Sequence, residues 1–178
     1  AGPAGKRALQ GAVLRLLSRR DGGAQARAQF AAADNMTLQL SALTSLLAIG
    51  AGEAEIAAFH DQWNEDRLVM DKWFALQVML AAPEAAAETA RALTEHTAFT
   101  HLNPNRFRAV FGALAGNHAG FHHASGAGYR LLADWLITLD ADNPQTTARM
   151  CTAFQSWRRY DADRQDLIRT ELARIAET

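Results

Sequence analysis

Residues 103–117 read NPNRFRAVFGALAGN. Asparagine followed by proline is a strong way to start a helix. The Asn side chain can accept from a backbone N–H of the first turn, and Pro fits the first helical position, where its missing N–H costs nothing. Phe107, Val110, Phe111 and Leu114 then fall at i, i+3, i+4 and i+7, which sets four apolar side chains on one helical stripe. Asn143-Pro144 repeats the device 40 residues after Asn103-Pro104, a separation close to that of a helix-pair repeat. The residues after the two starts are otherwise only thinly alike.

Helical periodicity extends from this stretch in both directions. Toward the N-terminus, Leu9, Val13, Leu16 and Leu17 share one face of a first helix, which Gly22-Gly23 ends. The Ala-rich segment AQARAQFAAAD runs to Asp34. Asn35 caps NMTLQLSALTSLLAIG, which stops at Gly50. A further helix spans about Glu53 to Asn64. RLVMDKWFALQVMLA follows, with Leu68, Trp73, Leu76 and Leu80 on the expected core face. Pro83 is placed to open PEAAAETARALTEH as a first-turn proline. Toward the C-terminus, NHAGFHHASGAGY (117–129) interrupts the pattern. Helix resumes with Tyr129, Leu131, Leu132, Trp135, Leu136 and Leu139. A last helix from about Asp161 to Ala176 carries Leu167, Ile168, Leu172 and Ile175.

No run alternates with period two for long enough to make a strand. The expected fold is all-α, with about nine or ten helices. Short connections make neighbouring helices antiparallel and point to a superhelical, solenoid-like array of helix pairs filling 1–178 as a single domain.

The bulk numbers exclude several function classes. Of 178 residues, 49% are hydrophobic and 21% charged, as in soluble globular proteins. A net charge of -1 and a pI near 6.7 give no reason to expect a nucleic-acid partner or an anionic membrane surface. No apolar run approaches the roughly 20 residues needed to span a bilayer. The single cysteine, Cys151, makes an internal disulfide impossible and fits a reducing, cytoplasmic compartment. The chain begins without Met, carries no signal peptide and is already helical at LQGAVLRLL (9–17), so a piece of a longer polypeptide is expected.

Three of the six histidines, His118, His122 and His123, lie in NHAGFHHASGAGY. His118 and His122 have the i, i+4 spacing of a helical zinc pair. Ala119 and Gly120 stand where a general base would be needed, and Gly116, Gly120, Gly126 and Gly128 make a poor rigid helix. No metal ligand is therefore assigned, and the stretch reads as a turn anchored by Phe121, with Ser125 capping the next helix. SGAGY lacks the preceding strand and the full glycine pattern of a nucleotide loop. Cys151 reads as core rather than nucleophile, and Trp63, Trp73, Trp135 and Trp157 as packing residues. The arginines are less easily dismissed. Arg106 and Arg108 flank Phe107 at a helix start, so both should point away from the apolar stripe, and Arg149 follows Asn143-Pro144 in the same way. Cations near a helix N-terminus oppose the macrodipole. An anionic partner would justify them, and so would plain solvated surface.

DNMT (34–37), RLVMDKWF (67–74), NPNRFRAVFGALAGN (103–117), FHHASGAGY (121–129), NPQTTARM (143–150) and RRYDADRQ (158–165) together resemble the C-terminal domain of the bacterial aminopeptidase N family of zinc gluzincins. The resemblance covers about residues 6–176. It implies an α-superhelical domain that caps the active site, encloses a chamber and restricts entry to short or unfolded peptides. Its partners would be the catalytic domain of the same polypeptide and peptide substrates. By motif, Arg108 with Arg106 beside it, and Arg149, match chamber-facing positions near the peptide's carboxylate end. The family usually continues beyond the position of Thr178. Its zinc motif, His-Glu-x-x-His, and its amine-binding motif, Gly-x-Met-Glu-Asn, belong to another domain, and neither occurs in these 178 residues. The resemblance therefore implies no cofactor and no catalytic residue in this chain, and no hydrolysis by it alone. Two rivals stand beside this reading: a free-standing helical-repeat interaction module, and a small metalloprotein built on His118, His122 and His123.

Overall fold

Gly22 and Gly23 both take positive φ, 63° and 84°, and turn the chain sharply between its first two helices. A side chain at Gly23 would be strained there, and its Cβ would meet Leu46 Cδ2 at 2.6 Å. In the computed structural model, which describes residues 4–177, this turn joins α1 (Ala4–Asp21) to α2 (Ala24–Ala32). Then come α3 (Met36–Leu47), α4 (Glu53–Trp63), α5 (Arg67–Leu80) and α6 (Ala86–Thr94). α7 (Pro104–Phe107) continues through a π-turn, Arg108–Gly112, into α8 (Ala113–Gly116). α9 (His118–Phe121), α10 (Ala127–Asp140), α11 (Pro144–Met150), two 3₁₀ turns and α12 (Ala162–Ala176) complete the chain. Among the described residues there is no strand, and the fold is all-α as expected.

The caps follow the sequence closely. Asn35 accepts from Leu38 N at 3.1 Å, and Asn143 from Thr146 N at 3.0 Å. Each satisfies a first-turn N–H that has no partner within its helix. Pro83 differs from expectation. It lies in a turn closed by Ala85 N–H donating to Ala82 O, and the helix begins only at Ala86. The expected count of helices is exceeded because a π-turn divides one of them and HAGF makes a turn of helix of its own.

The chain divides into two compact units, Ala1–Leu76 and Gln77–Thr178. In the first, α1, α2 and α3 pack on one another around Leu14, Ala26, Phe30, Ala42 and Leu46. Phe59, Met70, Trp73 and Phe74 are buried from α4 and α5. Trp63 donates to Gln39 Oε1 and Trp73 to the Ile56 carbonyl, so both indoles bury their rings without stranding a donor. Two expected faces are turned. On α1 the buried apolar residue is Leu14, while Leu9, Val13 and Leu16 are 65%, 44% and 65% exposed. On α5, Trp73 is buried as expected, but Leu68 is exposed and Met70, Phe74 and Val78 are buried beside Trp73.

In the second unit α10 is central and packs against α6, α9, α11 and α12. Phe107, Val110, Phe111 and Leu114 are all fully buried. Phe111 meets Phe107 at 4.6 Å and Trp135 at 5.6 Å between ring centroids, and Phe121, Tyr129 and Phe154 form a second aromatic group. On α12 only Ile168 of its four apolar residues is fully buried.

Candidate functional site

The two Asn-Pro helix starts carry the candidate site. Asn103 Oδ1 accepts from Asn105 N at 3.0 Å and Arg106 N at 3.4 Å. Just upstream, His101 Nε2 lies 3.2 Å from Asp142 Oδ2, immediately before Asn143. His101 also packs at a tilt against Trp135, with ring centroids 5.8 Å apart. This contact ties the two starts together, so α7 and α11 begin at one edge of the second unit.

The three arginines have different surroundings. Arg106 is only 5% exposed, and its guanidinium donates to the Ala98 carbonyl at 2.6 Å. The outward direction expected for it is corrected: it faces inward and braces the segment before the cap. Arg108, half-buried, donates through Nη2 to Asn105 Oδ1 at 2.6 Å. It opens the π-turn, a widened turn often found at functional sites and one without a local signature in the residues around it. Arg149 is exposed and makes no ion pair among the described residues. Two residues before it, the buried Thr147 hydroxyl has no partner among them either.

The histidine stretch is built for packing. Asn117 Oδ1 caps α9 by accepting from Gly120 N, and its Nδ2 donates to the carbonyls of Val78 and Ala81, both at 3.0 Å. It thereby pairs two carbonyls left open at the end of α5. A Cβ on Gly120 would approach Ala86 Cβ to 2.4 Å, so this glycine lets α9 press against α6. Phe121 is buried as expected. Ser125 is not the cap: Gly126 holds that position, and Ser125 Oγ accepts from Ala127 N at 3.3 Å and bonds His123 Nδ1.

The three histidines serve separate ends. His122, 7% exposed, bonds Tyr129 Oη through Nδ1 at 2.8 Å and stacks on Tyr160 with centroids 3.9 Å apart. Its carbonyl accepts from Arg164 Nε at 2.7 Å. Burial, then the charges of His118 and Arg164, pull its pKa down to about 4. Burial pushes Tyr129 up to about 12. His123 bonds Ser125 Oγ at 3.0 Å, and His118 is exposed. Among the described residues no group of three or more His, Cys, Asp or Glu is placed to hold a metal ion. With His122 committed to Tyr129 and Tyr160, these residues do not fit a zinc. Cys151 is half-buried, and burial followed by the charge of Asp140 raises its pKa, opposite to what an activated thiol needs. No helix among the described residues is long and apolar enough to cross a membrane.

The fold and this edge define a helical-repeat domain that carries guanidinium groups beside paired helix starts. Residues 1–178 match the family described as a domain of unknown function (DUF3458_C) with ARM repeats, and the chain belongs to that family. It is 41% identical to aminopeptidase N of Caulobacter vibrioides over 98% of this chain and 21% of that protein. Aminopeptidase N of Escherichia coli is 39% identical over 96% of this chain and 20% of the relative. A crystal structure of Legionella pneumophila aminopeptidase A in complex with aspartic acid superimposes with a TM-score of 0.82 at 30% identity. That match covers 89% of this chain and 19% of the other. The chain thus spans about a fifth of the relatives it matches.

Proposed function

We propose that residues 1–178 act as one C-terminal helical domain of a cytoplasmic, zinc-dependent aminopeptidase. Its role is to close over the active site, wall a chamber and limit which peptides enter. The zinc and the water it activates belong to the catalytic domain of the same polypeptide. This chain contributes no metal ligand and no catalytic residue. Within the chamber, Arg108 and Arg149 hold the carboxylate end of a bound peptide, and Arg106 supports them through its bond to Ala98 O. A guanidinium fork suits a carboxylate, and such charge-assisted bonds are the strong ones.

The observation that carries this reading is the His101–Asp142 contact, which sets the two arginine-bearing helix starts at one edge, in a chain about 40% identical to aminopeptidases N. The test is kinetic, in the full-length enzyme. Arg108→Ala and Arg149→Ala should each lower kcat/KM for tri- and tetrapeptides by roughly tenfold, mainly through KM. Turnover of an alanyl chromogenic amide, which has no peptide carboxylate, should not change. Equal loss on both substrates, or no loss on either, would reject the assignment.

A further inference from the structure

The second unit holds its arginines by a repeated device. Arg91, Arg164, Arg169 and Arg174 each pair with an acid three residues earlier, Glu88, Asp161, Asp166 and Glu171 in turn. An acid and an arginine at that spacing meet on one helical face and stabilise the helix. Arg108 is held at the same spacing, but by an amide: its Nη2 donates to Asn105 Oδ1 at 2.6 Å. It makes no ion pair among the described residues.

An acid at position 105 would suit the fold better. Asn105 is the second residue of the helical run that starts at Pro104, and it is exposed. The helix dipole favours a negative charge in that first turn, and Asn and Asp differ little in intrinsic helix propensity. The cap does not need the Asn105 side chain either, since Asn103 Oδ1 supplies it. What an acid would change is Arg108. A carboxylate there would neutralise the guanidinium, whereas an amide oxygen fixes one Nη2–H and leaves the charge and the remaining N–H groups for another anion. At the second start, Asp142 is the nearest acid in sequence to Asn143, and it lies against His101 rather than Arg149.

We infer that Asn105 is a positioning residue for recognition of the peptide carboxylate. It aims the Arg108 guanidinium through a neutral oxygen, and so makes the full-length enzyme select peptides with a free carboxylate over the same peptides blocked there as amides. The inference rests on the carboxylate reading of Arg108 and adds the group that sets the direction and the free charge of its fork. A residue kept only for folding would be replaceable by Asp without cost.

The test compares a tripeptide with its C-terminal amide in the full-length enzyme, reading KM for each and the Tm of each variant. Asn105→Asp should raise KM for the free acid roughly tenfold, as Arg108→Ala does, and leave KM for the amide within about twofold of wild type. Its Tm should stay level or rise, because the new charge suits the helix start. Asn105→Ala should raise KM for the free acid about threefold, since the guanidinium stays charged and only its aim is lost. Asn105→Gln keeps a neutral acceptor and should restore most of that loss. Unchanged selectivity in Asn105→Asp, with selectivity lost in Arg108→Ala, would overturn this inference alone. Unchanged selectivity in both would reject the carboxylate reading and this inference with it. A lower Tm with equal rises in KM for both peptides, in Asn105→Asp and Asn105→Ala alike, would make Asn105 a folding residue and overturn the inference as well.

Discussion

Two stripes with the same helical spacing end in opposite environments. Phe107, Val110, Phe111 and Leu114 are sealed in the second unit, while Leu9, Val13 and Leu16 face outward from the first. Periodicity tells which side chains share a face. Whether that face is covered depends on what packs against it, and that information lies in other segments. α6, α10 and the aromatic rings of Phe99 and Trp135 close the first stripe. α2 and α3 close a different side of α1.

The sharpest way to break this contrast is to truncate both stripes. Phe111→Ala should cost about 3–5 kcal/mol in denaturant unfolding, because a fully buried aromatic leaves a cavity. If it melted like wild type, the second-unit core described above would be wrong.

A somewhat smaller effect follows from His122. Its folded pKa of about 4 lies below the ordinary 6.5, so the neutral ring is the form the fold accepts. The unfolded chain then binds more protons between those values. Stability is full above about pH 6.5, falls as pH drops and levels off below about 4, with a total loss of up to about 3 kcal/mol. Urea melts between pH 7 and 4 would show the slope, and His122→Phe should flatten it. A slope unchanged in that variant would assign the loss to other groups.

Gly120→Ala should destabilise by about 2 kcal/mol, since α9 must move off Ala86. Asn103→Ala removes a cap and should cost about 1 kcal/mol in thermal or chemical melts. Leu16→Ala closes the series, with a change within about 0.5 kcal/mol in the 178-residue chain. A loss as large as that of Phe111→Ala would erase the difference between the stripes.

Much of the fold was legible because its signals are local. The Asn35, Asn103 and Asn143 caps, the Gly22-Gly23 break and the Phe107 stripe all rest on residues within one or two turns of each other. Arg106 was not legible. Its neighbours in sequence suggested an outward side chain, but the widened turn that follows and the Ala98 carbonyl eight residues back draw it inward. The environment of His122 was equally hidden, because Tyr160 and Arg164 come from a distant part of the chain. Asn117 did carry a readable signal, an Asn directly before a short helical turn, yet its bonds to Val78 and Ala81 are long-range and leave no local pattern. Of the site residues, Arg149 is exposed as its position suggested, and Arg108 is held by Asn105 one turn earlier.

The bond from Arg164 Nε to the His122 carbonyl spans 42 residues. It and the stacking of Tyr160 on the imidazole clasp the start of α12 to the turn after α9. When α12 lifts away, the clasp opens and the ring meets water in the same event. Acid therefore favours the open clasp, because a solvated imidazole takes up a proton at a higher pH than the buried one. Mild acid should make the peptide bonds around Tyr160 the first in this unit to become open to a protease.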